Sequence, residues 1–201
     1  MDTGRLSAFS DGVFAVAITL LVLDLRAPED TAHLGRELLH LWPSYLAYTV
    51  SFLLIGLVWA NHHTMFEHIR GLDRPLLFLN TLLLLDVVLL PFVTSVLARS
   101  LHDGDGLRIA VAVYGLTLVV GGLFFNAIWW WAGRGHRLMG DHITPAEVSA
   151  IGQRFRRGPA LYAVGALIGL ALPAAGLAFY AFLIVYYWLP SDRGRVAGTA
   201  S

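Results

Sequence analysis

Four sets of polar residues sit inside otherwise apolar stretches, and they are where this chain could do chemistry. Asp86 is the one charge between Pro75 and Ala98. An acid at that depth must be protonated, paired or facing water. It marks either an ion or proton path or a neutral acid bonded to a nearby carbonyl, and the sequence leaves both open. Asn80, nearer the start of the same stretch, can bond a neighbouring helix. Ser10 and Asp11 follow Arg5 within two helical turns, so they form either a polar network with it or an N-terminal cap on free backbone N–H groups. The run Trp59-Ala-Asn61-His62-His63-Thr64-Met65-Phe66-Glu67-His68 offers imidazoles. Adjacent histidines point about 100° apart on a helix, and no HExxH pattern is present, so interhelical hydrogen bonding is favoured over a metal site. No nucleophile–base–orienter set occurs, so neither an enzyme nor a cofactor is expected.

The elements that position these residues follow from composition. Of 201 residues, 57% are hydrophobic and 14% charged, close to half the charge of an ordinary soluble domain. Mean hydropathy is +0.65. The 14 basic residues, all arginine, balance 14 acidic ones, which removes any global case for nucleic acid. The absence of cysteine excludes disulfides and thiol chemistry. Crossing roughly 30 Å of hydrocarbon takes about 20 apolar residues, and Ala8–Leu23, Leu41–Ala60, Pro75–Ala98 and Ile109–Gly133 supply four such runs. Gly158–Pro190 is 33 residues without charge, too long for one span, and is broken at Leu172-Pro173-Ala174-Ala175-Gly176. Arginines flank both of its ends, so it reads as a hairpin of two short helices.

The reading is therefore all-α: one six-span membrane domain over residues 1–201, with spans at roughly 6–25, 41–66, 74–98, 107–133, 148–173 and 175–190. With the N-terminus inside, ten arginines fall on the cytoplasmic side and four outside, which places both termini in the cytoplasm. A five-span layout weakens the bias to eight against six. Thr144-Pro145-Ala146-Glu147 reads as a capped helix start leading into the fifth span, and Gly194–Ser201 as a small, polar, disordered tail. Trp129, Trp130 and Trp131 read as an interfacial belt, and Gly115, Gly121 and Gly122 as points of close helix contact.

On the first span, Val16, Thr19, Leu20 and Leu23 fall within an arc of roughly 100°. Copies of such a helix around an axis would make a narrow apolar tube with one hydroxyl layer, and hydrophobic constrictions close pores by dewetting. Packing against neighbouring helices uses the same stripe, so periodicity leaves both uses open.

The run Arg5-x-x-x-Phe9-Ser10-Asp11 resembles the signature of the transmembrane protein 175 potassium channel family, in its bacterial branch. Trp59 with His62 and His63, Leu79-Asn80 and Pro91-Phe92 add to the match in combination. The resemblance implies a channel: a homotetramer of six-helix units around a central pore lined by the first helix, without a carbonyl-lined filter. It makes Val16 the constriction, Leu20 and Leu23 further apolar rings, and Thr19 the hydroxyl layer tied to potassium preference. Arg5, Phe9, Ser10, Asp11, His62, His63 and Asn80 become the network that supports the pore helix. Val16 is smaller than the isoleucine or leucine the family leads one to expect, and Asp86 stands where an apolar residue is expected.

The implied function is passive, potassium-preferring cation flux in a bacterial cell membrane. Its partners are further copies of itself, lipid and monovalent cations, with potassium as the permeant ion and no cofactor. The competing class is a proton-coupled transporter or proton-permeable channel using Asp11, His62, His63 and Asp86 as a relay. The weakness of any repeat or mid-membrane helix break argues against it.

Overall fold

A computed structural model describes residues 3–28 and 31–188. The last two residues of the expected sixth span, Arg193, Arg195 and the expected tail lie outside the described residues.

Every long apolar run is helical. Helix α1 (Thr3–Leu20) continues as a 3-10 turn, Leu21–Asp24. A short helix α2 (Leu34–His40), which the sequence reading did not foresee, buries none of its side chains. Then come α3 (Trp42–His68), α4 (Arg74–Asp103) and α5 (Leu107–Gly133), followed by α6 (Pro145–Phe155), α7 (Arg157–Ala171) and α8 (Pro173–Trp188). Among the described residues, four stretches are long and apolar enough to cross a membrane: Thr3–Asp24, Trp42–His68, Arg74–Asp103 and Leu107–His136. Helices α7 and α8, of 15 and 16 residues, are each about 23 Å long, shorter than a full hydrocarbon core.

The helix ends have local causes. Asp73 caps α4 by accepting from the Leu76 N–H, and Gly104, at φ 79°, closes it in the left-handed conformation. Thr144 and Glu147 form a reciprocal capping box at the start of α6. The run expected as one span from 148 to 173 is instead two helices with a break at Arg156. Pro159 explains the break: it has no N–H to give the Phe155 carbonyl four residues back, and its ring crowds that carbonyl. The freed carbonyl accepts from Asn126 Nδ2 on α5 at 3.1 Å. Leu172, extended at φ −135° as residues before proline prefer, separates α7 from α8.

Helices α4 and α5 run through the centre of the bundle. One apolar cluster joins Phe14, Leu54, Val87, Tyr114 and Tyr180, and a second joins Leu6, Met65, Leu76, Ile128 and Trp129. The expected glycines on α5 make this packing possible. A Cβ at Gly115 would fall on the Tyr180 hydroxyl, and one at Gly122 would lie 2.9 Å from the Pro159 ring. At the end of the bundle where α3 stops, the two connections knit together. The Leu138 carbonyl accepts from the N–H groups of Arg70 and Gly71 at 2.9 and 3.0 Å, and the Gly140 N–H donates to the His68 carbonyl at 2.9 Å.

The tryptophan triplet is not a uniform belt. Trp129 is buried and donates to the Val148 carbonyl, Trp131 donates to the Asp73 carboxylate, and Trp130 alone is exposed. Successive residues point about 100° apart, so three in a row cannot all face lipid.

Candidate functional site

Helix α1 lies at the edge of the bundle against α3 and α4. Its inward face is Leu6, Ser10, Phe14 and Ala17, continued by Leu21 in the 3-10 turn. The opposite face carries Val16, 53% exposed, Thr19, Leu20 and Leu23, 70% exposed. Leu23 lies within the 3-10 turn, where the rise is about 2 Å per residue, so a uniform α-helical arc slightly misplaces it. Thr19 Oγ1 donates to the Val16 carbonyl at 2.8 Å, so its oxygen lone pairs remain available on the exposed face.

The inward face is held by a directed chain of hydrogen bonds. Ser10 Oγ donates to the Leu6 carbonyl at 2.9 Å, and with its single hydrogen used it accepts from Asn80 Nδ2 at 3.0 Å. That fixes the amide, so Asn80 Oδ1 is the acceptor facing His62 Nε2 at 2.9 Å. His62 therefore carries its proton on Nε2, and its buried Nδ1 has no hydrogen-bond partner among the described residues. The imidazole lies against Phe66, with ring centroids 4.5 Å apart, and Phe14, at 5.3 Å. Ser10, His62 and Asn80 are all fully buried, so three helices are tied at one level inside apolar packing.

The other expected network residues lie elsewhere. Asp11 accepts from Trp59 Nε1 at 2.9 Å, a second α1–α3 link on a more exposed side. Neither Ser10 nor Asp11 is an N-cap, because α1 already begins at Thr3. His63 is exposed and 3.9 Å from Glu67 one turn on, while Arg5 and Phe9 are exposed. Asp86 is buried against Gly121 of α5, apart from this network. Of the four groups of the relay alternative, Asp11, His62 and His63 gather where α1 meets α3, with Trp59 bonded to Asp11 and its ring 6.0 Å from that of His63, while Asp86 stands apart beside Gly121. Among the described residues, no cluster of three or more metal-ligating side chains occurs.

Sequence reasoning missed several polar contacts. Ser51 Oγ lies 3.0 Å from the Tyr114 hydroxyl and 2.8 Å from Thr94 Oγ1, a buried trio joining α3, α4 and α5. Isolated hydroxyls inside apolar runs are the signal for such contacts. Asp73 also accepts from Arg137 Nη2 at 3.0 Å, and His68 Nδ1 meets His142 Nε2 at 3.2 Å. Glu147 is fully exposed, yet its carboxyl is held below the usual carboxylate range, first by the Thr144 backbone N–H and then by the Thr144 hydroxyl.

Long apolar helices cross-tied by buried hydrogen bonds define a multi-pass membrane protein. The family model for the endosomal/lysosomal potassium channel TMEM175 matches residues 5–91. A potassium channel of Streptomyces collinus is 41% identical over 190 residues, covering 92% of this chain and 91% of that protein. A potassium channel of Chamaesiphon minutus is 38% identical over 195 residues, covering 95% and 96%. The crystal structure of a lysosomal potassium-selective channel TMEM175 homolog from Chamaesiphon minutus superimposes with a TM-score of 0.83 at 37% identity, over 92% of this chain and 95% of that one. The chain belongs to the TMEM175 channel family, whose members are ion channels and not enzymes.

Proposed function

We propose that this chain is a potassium-preferring cation channel of a bacterial cell membrane. Four copies surround a central pore lined by α1, each copy crossing the membrane six times with both termini in the cytoplasm. The short helices α7 and α8 complete the six spans as the hairpin that the flanking arginines favour.

One observation carries this reading. Helix α1 is locked on one face by the Ser10–Asn80–His62 chain, and its other face leaves Val16, Thr19, Leu20 and Leu23 exposed. A rigid edge helix with an apolar outer stripe suits a wall around an axis. Val16 forms the narrowest ring and closes the path by dewetting, with Leu20 and Leu23 as further rings. Apolar rings cannot replace an ion's hydration shell, so ions pass with much of their water. Discrimination then comes from size and dehydration cost, with the outward lone pairs of Thr19 favouring potassium. Arg5, Phe9, Asp11 and His63 support the helix from its exposed flank and its end. Potassium is the permeant ion, and no cofactor takes part.

The test is reconstitution in liposomes with a defined potassium gradient. Val16→Trp and Leu23→Trp are expected to block flux, and Thr19→Ala to lower the preference for potassium over sodium. Since the chain has no cysteine, a single Leu20→Cys substitution should cross-link neighbouring subunits under oxidation. Unchanged flux in both tryptophan variants, with no cross-link, would refute the pore assignment.

A further inference from the structure

Apart from the α1 face, the protomer holds a cavity of about 410 Å³ between α3, α4, α5 and the helices after residue 145. That volume lies within the range of small-molecule sites. Its walls are mainly apolar, including Leu57, Leu90 and Leu118. Asp86 lines it while remaining only 9% exposed. Among the described residues, no hydrogen bond or ion pair reaches the Asp86 carboxyl. Gly121 leaves it room in this position, because a Cβ there would meet Oδ2 and make the side chain shift. The carboxyl oxygens keep access to the cavity, so an occupant of the cavity can pair with them.

The cavity chemistry selects among occupants. A bare potassium or sodium ion needs several oxygens to replace its water, and beside the one carboxylate of Asp86 the lining side chains offer neutral amides and hydroxyls spread over α3, α5, α7 and α8. A lipid chain fills the apolar volume but leaves the carboxyl unpaired. An ammonium group on an apolar body satisfies both. Arg154 lines the cavity from α6 beside Phe155, whose carbonyl is tied to Asn126. Asn126 stands five residues along α5 from Gly121, about 7.5 Å away. A positive charge at that end directs a cationic head toward Asp86.

We propose that this cavity is a binding site for amphipathic organic amines, with the ammonium on Asp86 and the apolar body along Leu57, Leu90 and Leu118. The site is separate from the pore stripe, and its occupancy can be read without measuring flux, so it stands or falls independently of the channel reading.

The experiment measures binding of n-octylammonium and of neutral n-octanol to the full chain in lipid nanodiscs, with empty nanodiscs as the blank. The parent protein is expected to bind the ammonium at least tenfold more tightly than the alcohol. Asp86→Asn, nearly identical in shape, should erase that difference, and Val16→Trp should leave it intact. Should Asp86→Asn fail to fold, Val58→Trp, which fills the cavity from a half-buried wall position, is expected to abolish binding. Equal binding of amine and alcohol to the parent, a difference that survives in Asp86→Asn, retained binding in Val58→Trp, or loss of binding in Val16→Trp would each overturn the proposal.

Discussion

Replacing Asn80 with leucine tests whether the buried chain holds α1 in place. The side chain is fully buried and makes two interhelical bonds, to His62 Nε2 at 2.9 Å and to Ser10 Oγ at 3.0 Å. Leucine keeps the volume and removes both. Interhelical hydrogen bonds in membranes average about 0.6 kcal/mol and reach about 1.7 kcal/mol each, because helices in lipid find other partners when separated. Two such bonds give a loss of about 1–3 kcal/mol. The upper part of that range applies if the His62 N–H, buried against Phe14 and Phe66, finds no new acceptor. Removing that orphan as well by His62→Phe should make the double variant less destabilised than the sum of the single ones, since replacing both partners by apolar groups is much milder than removing one. The assay is equilibrium unfolding in mixed micelles by detergent titration, run on parent, both single variants and the double variant. Additive losses, or an Asn80→Leu protein within about 0.3 kcal/mol of the parent, would show that the chain does not fasten α1.

Two further outcomes follow from other parts of the fold. Gly115→Ala places a methyl group on the Tyr180 hydroxyl and 2.8 Å from the Ala166 Cβ, so α5 must shift from α7 and α8. The expected cost is about 1–3 kcal/mol, read in the same titration; a neutral result would mean that α8 repacks freely. The Glu147 carboxyl, held low by Thr144, contributes to the α6 cap at every pH above its value in the unfolded chain and loses that contribution as pH falls through its depressed folded value. Protection factors at the first amides of α6, taken relative to the intrinsic exchange rate at each pH, should therefore fall on acidification, and Glu147→Gln should weaken that dependence; the same dependence in both proteins would rule the cap out as its cause.

Much of the site was legible because membranes make polar residues conspicuous. Ser10, Asn80 and His62 stand out from apolar surroundings, and burial in lipid leaves hydrogen bonding to a neighbouring helix as the cheap solution. Which residues pair was not legible. His62 and His63 look alike in sequence, yet one faces Asn80 and the other faces outward beside Glu67. The rotation of α3 about its axis decides that, and the packing of Leu54, Met65 and Phe66 sets the rotation. Nothing in the sequence pairs Trp59 with Asp11; only the approach of α1 brings that carboxylate to its indole.

By itself, then, the sequence determined the helical class, the apolar runs, the capping box at Thr144 and the break at Pro173. Each of these depends on covalent geometry or on the cost of an unpaired backbone group, and both act locally. Tertiary structure alone decided that α1 stands at the edge with its stripe uncovered, and that Asp86 sits against a glycine beside a cavity. These depend on which face each helix turns toward its neighbours, and that orientation is set by contacts between residues far apart in the chain, whose combined packing no single segment encodes.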